Sequence, residues 1–245
     1  ILNGKKALYK VPLPKKNEEK KAILETYTKE YSAEYQAQAL IDIAKKLNKK
    51  ISKLNQIKKI DIYTSHHTHY VIGNGANDPQ KMDPKASRET LDHSIMYIFA
   101  VALEDANWHH INSYKRTRAN KKSTIKIWRS IRTHEDKKWT KKYHDPNPKN
   151  KSFGARVIVT LNNGKKISEE LDRADAHPYG LRPFKRKNYI NKFLILTKNI
   201  ISQKESRRFL KNVQNLKKLK SGQLGKLNIK IQISKLKKNH KKGIF

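Results

Sequence analysis

Histidines gather in one stretch of this chain. His66, His67 and His69 precede a Gly73-Asn74-Gly75 loop, and His93 and Tyr97 stand one helical turn apart in the apolar run that follows. Tyrosine and histidine can each donate or accept a proton. Lys29 lies between Tyr27 and Tyr31. Flanking rings that strip water from an ammonium lower its pKa and make it a usable acid or base. Arg182 sits in a Pro-bracketed loop, 174–184, with Lys187 just beyond, and a guanidinium there can grip a carboxylate with two bonds. These residue types point to acid–base chemistry on an anion. Each also has a plain alternative: a surface lysine, a helix's single wet stripe, an arginine bonded to a loop carbonyl.

Other chemistries find less support. There is no phosphate-binding Walker loop and no dinucleotide fingerprint, and a lone Gly-Asn-Gly marks any turn. His66-x-x-His69 is poor metal-ligand spacing on a helix, with no third ligand in view. No Ser/His/Asp set is discernible. The chain has no cysteine, which excludes disulfides, a thiol nucleophile and iron–sulfur ligation from this chain.

The elements that must position these residues are legible in outline. Asp83-Pro84 reads as a helix start, Asp as N-cap and Pro at the first helical position. The helix it opens runs over 84–104, with Leu91, Ile95, Ile98 and Ala102 at helical spacing. Met96, Phe99, Val101 and Leu103 make the remaining circumference apolar, so the helix is buried nearly all round. Glu89, His93, Tyr97 and Glu104 form its one polar stripe. Residues 23–50 read as helical, with Ala37, Leu40, Ile41, Ala44 and Leu47 on the apolar face and Ser32 as an N-cap. Residues 57–64 read as a strand. Residues 155–161 and 165–171 alternate and answer each other across Asn162-Asn163-Gly164; a three-residue loop with Gly164 left-handed sets Val159 opposite Ile167 and Arg156 opposite Glu170. Helices are expected over 123–132, 188–201 and 205–216, a turn or helical piece over 108–114, a loop at 145–148 and a short strand over 227–233. The fold class is α+β: a small antiparallel sheet from 57–64, 155–161 and 165–171, covered by helices.

At 245 residues the chain can bury a sizeable core. Its loudest feature is charge: 56 Lys and Arg against 21 Asp and Glu, a formal net of +35. Clustered cations can mean a nucleic-acid partner, and a basic nucleic-acid-binding protein is the alternative reading. Yet the excess is mostly lysine, spread from end to end beside many Asn and Ile, as A/T-rich codons would produce. No arginine stripe, zinc finger or aromatic strand motif is present to read bases.

Four stretches together resemble the MmgE/PrpD family: YTKEYSAEYQAQALIDIA at 27–44, SHHTHYVIGNGANDPQKMDPKASRETLDHSIMYIFAVALED at 65–105, YHDPNPKNKSFGARV at 143–157 and ADAHPYGLRPF at 174–184. The resemblance implies a hydro-lyase of propionate catabolism that needs no metal or cofactor and turns 2-methylcitrate into 2-methyl-cis-aconitate and water. Relatives include cis-aconitate decarboxylase and an iminodisuccinate epimerase. The family fold joins a large all-α domain to a smaller α+β domain with the site in the cleft between. On this comparison the chain corresponds to the C-terminal portion: an irregular connector over 1–22, the α+β domain over 23–185, helices that pack on the helical domain over 186–227, and a basic tail over 228–245. Its expected partners are a tricarboxylate, the N-terminal helical half and a second copy, in the cytoplasm and away from membranes. The resemblance carries two catalytic roles over, to Lys29 and Tyr97. Within the Lys29 motif, Tyr31 stands where His or Phe is expected. His67, His93 and Arg182 are candidates for orienting substrate carboxylates. The family's other acid–base groups, a His and an Asp, fall in the N-terminal half, so the chain alone is expected to be inactive.

The charge yields a first prediction. A labelled DNA duplex should bind weakly, regardless of its sequence, and release as salt rises, because counterion release is the whole driving force. Sequence-selective binding that survives physiological salt would favour the nucleic-acid alternative.

Overall fold

A computed structural model describes residues 15–17, 26–231 and 234. Most of the 1–22 connector and of the 228–245 tail therefore lies outside the described residues. Among the described residues four strands form one sheet: β1 (Ile57–Thr64), β2 (Ile131–Glu135), β3 (Ala155–Leu161) and β4 (Lys166–Leu171), in the spatial order β2-β1-β3-β4. The helices are α1 (Gln38–Lys50), α2 (His66–Ile72), α3 (Arg88–Asp92), α4 (Ile95–Asp105), α5 (Arg116–Ala119), α6 (Lys122–Arg129), α7 (Lys137–Tyr143), α8 (Arg186–Thr197) and α9 (Gln203–Gln214). The α+β class and the three antiparallel strands stand as read from the sequence. The hairpin register is the expected one, Val159 opposite Ile167 and Arg156 opposite Glu170, with Gly164 at φ +83°.

The sheet is mixed, not purely antiparallel. β2 joins β1 in parallel, pairing Ile60 with Ile131 and Thr64 with Glu135. The stretch expected to be helical to residue 132 ends as α6 at Arg129 and turns at once into this strand. Its exposed edge is closed by the Gly-Asn-Gly loop. The Asn74 backbone N–H donates to Thr133 Oγ1 at 2.9 Å, and its side-chain Oδ1 accepts from the Thr133 N–H at 2.8 Å. That loop's job is to cap a strand edge that would otherwise offer free hydrogen-bonding groups.

One sheet face carries Ile60, Ile62, Ile131, Val157 and Val159, all fully buried, and packs on α1 and α4. α4 is the core's axis: every residue from Ile95 to Leu103 is buried. A helix with no wet side can sit only there. Its start differs from the expected one. Residues 84–104 make two helices, capped by Ser87 and Ser94, whose hydroxyls accept from the Thr90 and Tyr97 N–H groups. Asp83 instead holds a tight turn, accepting from the Lys85 N–H at 2.8 Å. A serine cap immediately before each helix outcompetes the more distant Asp-Pro signal. Likewise α1 begins at Gln38 after a short 3₁₀ turn capped by Glu34, so Ser32 is not its N-cap. Residues 227–231 form no strand; Leu224–Leu227 is a 3₁₀ turn.

Two glycines separate backbone strain from crowding. A Cβ on Gly164 meets nothing, so only the left-handed backbone opposes it; a Cβ on Gly154 meets the Leu171 and Asp172 carbonyls and the Trp139 ring. Gly164→Ala should cost about 1 kcal/mol, and Gly154→Ala about 3 kcal/mol, both read from urea unfolding. The reverse order would contradict this packing.

Candidate functional site

The chain just before α1 does not continue as helix; it folds into a tight turn over residues 27–34 that is clamped from several sides. Gln38, buried at the first position of α1, accepts from the Tyr31 N–H at 3.0 Å and donates to the Tyr31 and Ala33 carbonyls at 3.1 and 3.0 Å. The Tyr31 hydroxyl donates to Asp42 Oδ1 at 2.7 Å and accepts from Lys45 Nζ at 3.0 Å. The second Asp42 oxygen accepts the Asp175 N–H at 2.8 Å, which ties the 174–184 loop to the same point. Asp42 is 3% exposed. Burial raises its pKa, against the pull of its two hydrogen bonds. Burial, then Asp42, also raises the pKa of Tyr31, so its proton stays in place.

This turn forms the wall between two openings. One is an open cleft of about 300 Å³ lined by Lys29, Ser32, Ala33, Arg88, Glu89 and Asp92. The other is a cavity of about 230 Å³ bounded by Trp108, His110 and Lys192 among others. Ser32 borders both. Its carbonyl accepts from Trp108 Nε1 at 3.2 Å, and the Tyr114 hydroxyl oxygen lies 2.8 Å from it. In the cleft, the Arg88 guanidinium lies 4.8 Å from the centre of the Tyr114 ring and donates to the His110 carbonyl at 3.3 Å. Asp92 accepts from the Tyr114 hydroxyl. Lys29 and Arg88 thus line one open cleft together with the acids Glu89 and Asp92, and a guanidinium and an ammonium are groups that can bind a carboxylate.

The residues singled out from the sequence are divided by the structure. Lys29 lines the cleft and is exposed, because the Tyr31 ring turns inward rather than over the ammonium. The half-buried lysine is Lys192 on α8: its Nζ donates to the Lys29 carbonyl, and burial, then Lys29, lowers its pKa. Arg182 does grip a carboxylate with two bonds, but the carboxylate is Glu30 of this chain, at 2.7 and 3.0 Å. His93 closes α3 beside the cleft, its Nδ1 donating to the Glu89 carbonyl at 3.0 Å and lying 3.8 Å from Asp92. Tyr97 lies one layer below. It is 0% exposed, packs edge-on to Trp108 and donates its hydroxyl to the Ser113 carbonyl; burial pushes its pKa up to about 12. It lines neither opening. His67 is elsewhere, stacked on Tyr143 at 5.1 Å. From there a row of rings runs through Phe153 to Tyr35, Tyr27 and His177. Glu104, the last member of the expected polar stripe, is likewise spent inside the fold. Burial opposes its charge, but bonds from Lys121, Ser123 and Thr124, with Arg118 nearby, hold its pKa near 2. Among the described residues, no three His, Cys, Asp or Glu side chains come together to hold a metal ion.

The family model for the MmgE/PrpD C-terminal domain matches residues 31–218. The chain belongs to the MmgE/PrpD family. The match spans the sheet, both clamps on the 27–34 turn and the two C-terminal helices, and it begins two residues after Lys29. Membership puts the chain in a dehydratase-like family that contains hydro-lyases. In this MmgE/PrpD chain, sequence reasoning missed the positioning residues Gln38 and Asp42. A polar pair at i and i+4 among the apolar positions of α1 was the available signal. No helix among the described residues is long and apolar enough to cross a membrane.

The loop that carries Arg182 has a pH sensitivity of its own. His177 is 2% exposed, and burial, then Arg173, pushes its pKa down to about 4 from 6.5. The Tyr179 N–H donates to Nδ1 at 3.0 Å, so the neutral ring carries its proton on Nε2, which has no partner among the described residues. The folded state holds the ring neutral while the unfolded chain protonates near 6.5. Its contribution is complete above pH 6.5 and is lost as pH falls toward 4. Urea unfolding should show stability declining across that window, and less steeply in His177→Gln. Identical pH slopes for the two proteins would refute this.

Proposed function

We propose that this chain is the C-terminal part of a dehydratase that eliminates water from 2-methylcitrate, with the cleft at Lys29 as its contribution to the active site. The observation that carries the reading is that Lys29, on a turn held by Gln38 and Asp42, and Arg88 line one open cleft. Elimination removes the proton beside a carboxylate. The C–H electron pair becomes the new double bond, the C–O bond breaks, and the departing hydroxide takes up a proton to leave as water. Negative charge builds on the carboxylate next to the breaking C–H bond, and a fixed cation lowers the energy of that state most. Lys29 has the role of holding that charge or delivering the proton to the leaving hydroxyl, and Arg88 of fixing the carboxylate. The base that removes the proton belongs to the helical half, as the family resemblance implies. Tyr97 acts from beneath, keeping the Trp108 wall and the Ser113 segment in register, and Arg182 acts by holding Glu30.

The test joins the chain to its helical half and follows formation of 2-methyl-cis-aconitate. Lys29→Ala should lower turnover by about a hundred- to a thousandfold, the usual worth of one such donor. Replacing an exposed lysine outside the cleft, Lys217→Ala, should leave it unchanged. Lys29→Arg should also fail, because a guanidinium keeps its charge but is no proton donor near neutral pH. Equal activity of Lys29→Ala and Lys217→Ala at matched folded content would end this reading. So would turnover by the chain alone at an ordinary enzymatic rate, about one per second or faster. Carbon dioxide released from cis-aconitate, without dehydration of 2-methylcitrate, would shift the assignment to the family's decarboxylases.

A further inference from the structure

One face of α8 turns its polar residues into a cavity. Asn188, Asn191, Lys192 and Ile195 recur at helical spacing, and all four line the opening bounded on its far side by Asn107, Trp108 and His110. An amphipathic helix normally lays apolar residues against its domain; here two amides and a lysine occupy that position. The Asn188 side-chain Oδ1 accepts from the Lys185 N–H at 2.9 Å, which leaves its amide hydrogens free. The Asn191 and Asn107 side chains have no hydrogen-bond partner among the described residues. Lys192 spends one of its three N–H bonds on the Lys29 carbonyl. Among the described residues the one carboxylate that borders the cavity, Glu30, is already held by both bonds from Arg182. The space therefore offers donors and one cation and holds no unpaired acid. Ile195, Leu196 and Phe184 supply an apolar wall beside them.

We propose that this cavity is a second carboxylate subsite, in which Lys192 and Asn191, with Asn188 and Asn107, receive a distal carboxylate arm of the ligand whose reacting end lies at Lys29. The proposal rests on the carboxylate reading of the Lys29 cleft and extends it across the turn. Two features support the connection. Ser32 borders both openings, so they are neighbours across a single residue. The Lys192 bond to the Lys29 carbonyl ties α8 to the turn that carries Lys29. Amide donors around one lysine suit a single carboxylate on a short apolar stem; an open cluster of lysines would accept any polyanion. The subsite thus discriminates by the number of carboxylates a ligand carries, selecting a tricarboxylate over a dicarboxylate of similar length.

Calorimetric titration of the chain with tricarballylate and with glutarate tests this, since neither can react. The wild-type chain should bind tricarballylate more tightly. Lys192→Met and Asn191→Leu should each weaken tricarballylate by about tenfold, as loss of a charge-assisted or amide bond implies, and leave glutarate unchanged. Lys187→Met, an exposed lysine on the same helix, should alter neither. Asn191 is exposed, so its variant keeps the test sound if Lys192→Met loosens α8. Equal weakening of both ligands by the Lys192 and Asn191 variants, no effect on either, or no tricarballylate preference in the wild type would overturn the subsite. The two readings fail separately. If Lys29→Met leaves both ligands unaffected, the Lys29 cleft is not a carboxylate site. If Lys29→Met weakens both while the α8 variants do nothing, that cleft stands and the second subsite falls.

Discussion

A single buried carboxylate organises the turn that precedes α1 and the loop packed against it. Asp42 sits inside α1 and brings together two segments that are distant in sequence, one through the Tyr31 hydroxyl and the other through the Asp175 N–H. A buried carboxylate without such partners would be costly; with both oxygens engaged it fixes one geometry. Apolar contacts alone would let a surface turn slide by fractions of an ångström. This network does not, because each small displacement lengthens a bond to a group that has no water to replace it. Lys29, the Glu30–Arg182 pair and the Lys192 bond to the Lys29 carbonyl all depend on the turn that Asp42 holds. Tyr31 matters here for its hydroxyl: phenylalanine at that position would fill the same space and leave Asp42 Oδ1 without its closest partner.

Periodicity made much of the fold readable. β3 and β4 alternate cleanly and meet across a turn whose glycine has the left-handed backbone such loops need. The apolar circumference of residues 95–103 marked that stretch as a helix buried nearly all round, and in α4 it is. What stayed hidden had short signals or competing ones. β2 is five residues long, Ile-Arg-Thr-His-Glu, and abuts a helix, so its two inward residues make no pattern on their own. α7 buries a single large side chain, Trp139, among lysines, which is too little for a period to appear. The Asp83-Pro84 signal was a real turn signal; the two serine caps beyond it were simply nearer to the helices they start.

The candidate site was legible only in part, and the division has a physical cause. Lys29 was visible because its neighbours in sequence, two tyrosines, are unusual for a lysine. Lys192 was not, because what distinguishes it comes from a segment 163 positions away. In a chain where lysines are everywhere, only tertiary contact separates one from another. Tyr97 teaches the opposite lesson. A hydroxyl on an otherwise apolar helix invites a chemical role, but burial needs only one acceptor to satisfy it, and the Ser113 carbonyl provides that acceptor. A polar group on a buried face thus reports first that a partner exists, and only its access to a cavity can say whether the partner is a ligand.

The same distinction applies to the net charge of +35. Among the described residues the fully buried acids are engaged, Asp42 as described, Asp61 with Lys59 and His134 and Glu205 with Arg208, and so are the half-buried Glu104, with Arg118 and Lys121, and Glu30, with Arg182. The surplus cations are on exposed helix faces and loops, such as Lys122, Lys137 and Lys217. Replacing an exposed residue by lysine costs little stability, whereas unpairing a buried acid costs several kcal/mol, about 3–5 when a buried ion pair loses one partner. A compositional pull toward lysine therefore accumulates where it is cheap and leaves the paired interior as it was. On that account the charge describes the surface of the molecule, and what sets Lys29, Arg88 and Lys192 apart from the other cations is that they line its two openings.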